Sequence, residues 1–384
     1  MSSPLLRVAL ALLGLSSLAL ADDAPRLVRD GAAWSAGARR VAELERRLPA
    51  VSLRGVLADL NRKGQRLSRA GHAEQVQQAF AWEPGDGAVK YWYPQGITGS
   101  MDGLSAGHVG GRKVLLVGWY HKPEEDAAGS PDKGVRVSVV DATEPNDVRY
   151  RHVLLAEPVG EGAAVDLRPV RVHAGGIAWF GRYLFVCDTT HGFRVFDATR
   201  VLRVAGADKG RIGRDATGVT HAFGYRYVML QVGRYQLAPG SEGLRFSFVG
   251  LDRSTSPPSL LSGEYHSGDR GGRLARWPLD AGGGLLAEDA RGRVDASETL
   301  RPGHTRMQGA VSYAGRLYVS ASSQDRVKWW GLNYGRLYVH AAGAARARGW
   351  IYGPEDLCVD PTERRLWSVA EHPGQRLVVA VRLP

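Results

Sequence analysis

The segment HAGGIAWFGRYLFVCDTTHGFRVFDA (173–198) decides the fold. It reads as an apolar strand, a Gly-Arg turn, a second apolar strand, a polar cluster and a third strand. The same order recurs in QGITGSMDG…GRKVLLVGWYH…GVRVSVVDA (95–142) and in FSFVGLDRSTSPPSLLSGEYHSGDRGGRLARWPLD (246–280). It recurs again in QGAVSYAGRLYVSASSQDRVKWWGL (308–332) and EDLCVDPTERRLWSVAEHPGQRLVVAVRL (355–383). Tandem, diverged strand-turn-strand units are the signature of a β-propeller. The expected fold is all-β, a propeller of five blades with an N-terminal helical leader. Six blades is the alternative, because residues 201–243 fit either an outer strand or the remnant of another blade.

The second strand of most repeats is a continuous apolar run: Val114–Val117, Leu184–Val186, Leu317–Val319 and Leu366–Val369. Such runs belong to strands buried on both faces, as between stacked blades. Third strands alternate, with Val135, Val137 and Val139 against Arg136 and Ser138. The last repeat stops after three strands, which leaves an edge to be paired. Val89–Tyr93 (VKYWY) is the expected closing strand, giving a propeller over 88–384. Residues 22–87 form the leader. Its apolar positions Val41, Leu44, Leu48, Leu53, Val56, Leu57 and Leu60 recur at helical spacing, with Pro49 breaking the run and Ser52 capping a second helix.

Residues 1–21 read as a secretory signal peptide. Arg7 supplies the basic start, Val8–Leu20 the apolar stretch and Ala19-Leu20-Ala21 the cleavage site. The expected protein is secreted, extracellular and monomeric, without a stable membrane anchor. Cys187 and Cys358 fall in repeats that are not ring neighbours, so they read as two buried thiols. The net charge of +11 suits an anionic glycan. No basic run interleaved with aromatics appears, so no nucleic acid partner is expected.

Antiparallel order puts first-strand starts and second-strand ends on one rim. The starts carry Gln95, His173, Gln308 and Glu355. The ends carry Trp119-Tyr120-His121, Asp188 to His191, Glu264-Tyr265-His266, Ser322 to Asp325, and Glu371-His372. Four of these five ends contain His, in a chain with 11 His. Converging His, Tyr, Trp and carboxylates can bind sugar, hold a divalent cation or move protons. They can equally satisfy turn backbone. The candidate acid and base groups are His191, His266, Asp188 and Glu264. Arg194 and Arg234 are candidates for holding carboxylates, and Glu355 is the candidate metal ligand. No metalloprotease, nucleophile-elbow, phosphate-loop or paired-cysteine motif is present.

PQGITG (94–99), residues 172–197 and the stretch from SGEYHSG (262–268) to WPLD (277–280) resemble a group of uncharacterised secreted actinobacterial-type propellers. That resemblance implies export and a propeller, and no catalytic residues. GPEDLCVDPTERRLWSVAEH (353–372) is similar to one blade of the NHL and SMP-30/strictosidine-synthase-like propellers. In the latter group a Glu at an inner-strand start helps hold a channel metal, a position that Glu355 matches. Gln95, His173 and Gln308 depart from that group's Asn and Asp partners. The expected function is binding of a polar ligand on the rim, a carbohydrate and in one version an acidic one. The alternatives are a secreted hydrolase or polysaccharide lyase, metal-assisted or not, and a protein-interaction scaffold.

Overall fold

The computed structural model describes residues 24–323 and 333–383. The signal-peptide reading, Gln324 and Asp325 lie outside them. The described strands form five antiparallel meanders of four strands each. The first runs Trp92–Gly99, Val114–His121, Val135–Asp141 and Arg149–Val159. The second runs Ile177–Phe180, Tyr183–Asp188, Gly192–Arg203 and Tyr227–Leu237. Residues 224–235 are therefore an outermost strand. The third comprises Phe248–Asp252, Ser259–Gly263, Leu274–Pro278 and Glu298–Leu300. The fourth comprises Met307–Tyr313, Arg316–Ala321, Tyr334–Ala341 and Ala344–Tyr352, so Tyr334–His340 is a third strand rather than an outer one. The chain is an all-β propeller.

The last meander is Pro354–Asp360, Arg365–Ala370 and Leu377–Arg382, completed by Val76–Ala81. The closing strand is thus not Val89–Tyr93. Trp92–Gly99 is an innermost strand instead, and Val89 and Tyr91 pack beside the core. VQQAFA wins because the closing strand buries both of its faces, Ala79 among the fourth and last meanders and Phe80 against the first. Ala79 and Phe80 are buried there, and Gln78 donates to Ala142 O at 3.2 Å.

The leader is a belt rather than a helical unit. Asp30 caps the helix Gly31–Arg47, and Ser52 caps Leu53–Leu57 by accepting from Gly55 N. Between and around these helices short strands are added to the blades. Arg26–Arg29 pairs with Tyr227–Leu237, Ala50–Val51 with the strand Gly192–Arg203, and Arg62–Lys63 with Arg149–Val159. Trp34 Nε1 donates to Arg234 O at 3.0 Å, which seats the long helix on the second meander. Among the described residues no helix is long and apolar enough to cross a membrane.

At the axis the innermost strands approach so closely that side chains do not fit. A Cβ on Gly96 would lie 2.6 Å from Ile177 N, and one on Gly309 would lie 2.7 Å from Asp356 Cα. Asp356 fills this constriction. Its Oδ2 accepts from Ile97 N at 3.3 Å and Ile177 N at 3.1 Å, tying three innermost strands together.

A buried polar buckle locks the closure. Asp86, in the short helix Pro84–Ala88, accepts from Tyr150 OH at 2.7 Å and lies 2.9 Å from Arg62 Nε and 3.0 Å from His152 Nε2. Burial alone would raise its pKa, but His152, Arg136 and Arg62 hold it well below the carboxylate range. Removing one partner of such a cluster strands the rest, so Asp86→Ala is expected to cost about 3–5 kcal/mol by denaturant unfolding. Phe80→Ala should cost about 3–5 kcal/mol as a core truncation. Deleting residues 22–82 should leave Leu377–Arg382 as an open edge and give aggregated protein. A soluble protein unfolding cooperatively after that deletion would contradict the closure.

Candidate functional site

Ring closure places the last meander's rim beside the first. Glu355 starts the innermost strand of one, and Gln95 lies near the start of the other. Glu371 follows the second strand Arg365–Ala370. Glu355 and Glu371 are near enough for the second carboxyl to act on the first. Gln95 Nε2 donates to Glu371 Oε2 at 2.9 Å, and Gln308 Nε2 donates to Glu355 Oε1 at 3.0 Å. Glu355 and Gln95 are buried, while Glu371 and Gln308 are half-buried above them.

A carboxyl withdrawn from water beside other acids favours its neutral form. Burial pushes the Glu355 carboxyl well up, and the charges of Glu371 and Asp356 add to the shift. Asp356 is raised as well, by burial, and its Oδ1 has no partner.

A row of rings borders the pair. Tyr120 stacks on Tyr93 with centroids 5.6 Å apart and tilts over His173 at 4.4 Å. Burial and then Glu371 raise the Tyr120 hydroxyl, and burial with the Glu125 hydrogen bond pushes Tyr93 up to about 12. His173 remains exposed. Arg376 supports the group from below. Its Nε donates to Glu371 O at 2.7 Å, and its guanidinium faces the Tyr93 ring at 5.1 Å. His372 Nδ1 lies 3.6 Å from Glu371 Oε1, and its ring meets Tyr352 at 4.7 Å.

Of the rim residues read from sequence, Gln95, Tyr120, His173, Gln308, Glu355 and His372 thus surround one carboxyl pair. The others are engaged elsewhere. Trp119 is fully buried and donates to Ser138 Oγ at 2.8 Å. His121 is buried, and its Nδ1 accepts from Lys133 N at 3.2 Å, a turn-satisfying role. Arg234 lies on an outermost strand beneath the leader helix. Asp188 is bound by Arg194 Nε at 2.8 Å and by His191 Nδ1 at 2.8 Å. Glu264 accepts from Arg273 Nε at 2.8 Å, Arg273 Nη2 at 2.9 Å, Arg273 N at 3.0 Å and Arg245 N at 3.1 Å. Tyr265 OH accepts from Arg306 Nη1 at 3.4 Å, and His266 Nδ1 pairs with Asp269 at 2.8 Å.

Sequence reading placed Glu371 on the rim without giving it a role, and it did not select Tyr93 and Arg376. The available signal was position: Glu371 ends a second strand as Glu264 does. Among the described residues no group of three or more His, Cys, Asp and Glu is placed to hold a metal.

A second array has the composition of a nucleophilic triad. Ser138 Oγ lies 2.9 Å from His152 Nδ1, and His152 Nε2 is 3.0 Å from Asp86. All three are buried. Burial and Arg136 push His152 down to about 3. A histidine that resists a proton is no general base, and no substrate carbonyl can approach Ser138. This array belongs to the buckle.

No family model matches the chain, and no curated protein matches it, so neither resemblance yields a family. Among solved structures, similarity is found to Pseudomonas fluorescens PhoX in complex with vanadate. The TM-score is 0.37 at 10% identity, over 84% of this chain and 98% of that one. A gluconolactonase from Xanthomonas campestris gives 0.34 at 13%, over 87% and 97%. A GH43_1 enzyme from Xanthomonas citri complexed with xylotriose gives 0.36 at 12%, over 89% and 92%. Likenesses of this size carry no argument about activity.

The raised pKa of Glu355 has a measurable consequence. A group whose folded pKa is raised adds stability below its unfolded pKa, about 4.3 for Glu, and that stability is lost as pH rises through the folded pKa. Glu355→Gln keeps the shape and has no such titration. Its Tm relative to wild type should therefore rise between pH 4 and pH 8. Parallel Tm curves for the two proteins would contradict the raised pKa of Glu355.

Proposed function

We propose that this chain is an exported propeller that binds a polyhydroxylated ligand, a carbohydrate, at the rim where Glu355 meets Glu371. The observation that carries this is the carboxyl pair flanked by two amides and bordered by Tyr93, Tyr120 and His173. Carboxyl and amide groups exchange hydrogen bonds with vicinal hydroxyls, and aromatic rings cover the apolar face of a sugar. The local charge argues against an acidic sugar at this point. Glu371 and Glu124 both act on Tyr120, so this part of the rim is acidic although the chain is basic.

Binding is preferred to glycoside cleavage on geometry. Cleavage by two carboxyl groups needs them about 5–5.5 Å apart for retention, or about 6.5–9.5 Å for inversion. Glu355 is buried and bonded to Gln308, and Glu371 is bonded to Gln95, so the two carboxyls do not stand free on either side of an open cleft. The enzyme reading keeps one supporting feature, a carboxyl group held protonated as a general acid would be.

The test is a glycan array followed by calorimetry with neutral and uronic-acid oligosaccharides. Wild type should bind a neutral glycan, and Glu371→Gln and Tyr120→Ala should each weaken it at least tenfold with Tm retained. Release of reducing ends from the bound glycan, abolished by Glu355→Gln, would replace the binding reading with the enzyme. Preference for uronic acids with both variants unaffected would place the ligand elsewhere.

A further inference from the structure

Away from the rim, two histidines point their ring nitrogens at one place. His340, on the strand Tyr334–Ala341, and His304, in the segment before Met307–Tyr313, have Nε2 atoms 2.8 Å apart. The His304 ring lies flat on Tyr338, with centroids 3.6 Å apart and planes 10° from parallel. That stacking fixes its orientation. Both histidines are half-buried.

In a direct hydrogen bond, one Nε2 must carry hydrogen and the other a lone pair. Neither Nδ1 has a protein partner among the described residues. Both rings are therefore free to place their hydrogen on Nδ1, which aims two lone pairs at the same point. Neutral imidazole is the form that ligates metal.

We propose that His304 and His340 form a two-imidazole site for a borderline divalent cation, Cu²⁺ most tightly and Zn²⁺ next. Imidazole ligands suit both ions, and the divalent order of affinity favours copper. A tetrahedral ion with Zn–N bonds of about 2.0–2.1 Å holds two nitrogens about 3.3 Å apart. A small rotation of the His340 ring provides that separation. With two protein ligands, the remaining positions belong to water or to an exchangeable ligand. No acidic side chain contacts either ring in the described structure, which makes the site selective for ions that accept nitrogen and poor for Ca²⁺ or Mg²⁺.

The experiment is titration of the untagged chain with CuCl₂ and with ZnCl₂ in a non-coordinating buffer at pH 7.5. Calorimetry gives stoichiometry, and electron paramagnetic resonance identifies nitrogen ligands on copper. One tight ion per chain is expected, with two imidazole nitrogens in the copper spectrum. His304→Ala and His340→Ala should each weaken that ion at least tenfold, while His191→Ala with His266→Ala should not. Circular dichroism melting establishes that each variant is folded. Unchanged copper and zinc affinity in a folded His304→Ala/His340→Ala double variant would overturn the proposal. So would a copper spectrum lacking two imidazole nitrogens.

Discussion

Pairing of Val76–Ala81 with Leu377–Arg382 is the constraint on which the rest depends. It converts a row of meanders into a ring and brings the beginning and end of the chain side by side. Only then do Glu355 and Glu371, near the C-terminus, reach Gln95 and Tyr120 of the first meander. The Asp86 cluster and the Arg376 bonds to the carbonyls of Asp86 and Val89 reinforce the same seam. The candidate site and the closure are therefore one mechanical unit. A polar ligand at the rim would bind N and not U, and would stabilise the seam it spans.

The seam also explains the electrostatics. Three carboxyl groups, Glu355, Asp356 and Glu371, gather where strands from different blades meet, and two of them are fully withdrawn from water. Burial is the first cause of the raised pKa of Glu355 and of Asp356. Keeping the proton is the low-cost response for a buried acid, since a neutral acid is far easier to bury than a carboxylate. Arg376, although close, is committed to backbone carbonyls and ring faces and does not neutralise the pair by a side-chain ion pair.

Much of this was legible in the sequence. The tandem apolar runs announced buried middle strands, and Val114–Val117 and Leu366–Val369 are buried as their patterns require. Pro49 and Ser52 marked the helix boundary where it lies. The closing strand was harder to read. VKYWY looks more strand-like than VQQAFA, and only three-dimensional burial of Phe80 distinguishes them. The rim was legible as a position and not as a chemistry. His residues stood out by recurrence, yet His121 satisfies a turn, and His191 and His266 serve local Asp partners. Glu371 carried no local motif, because its role arises from a contact with a residue in another strand. His304 and His340 meet across strands in the same way.

The central claim is that Glu355, beside Glu371, keeps its proton at the ligand-binding rim. The most direct measurement is a pH titration of glutamate side-chain carboxyl carbons by carbon-13 NMR, without and with a bound neutral oligosaccharide. One glutamate resonance should keep its protonated shift at pH 7, vanish in Glu355→Gln and move when the sugar binds. If every glutamate resonance titrates below about pH 5, the range of ordinary carboxylates, the account is contradicted.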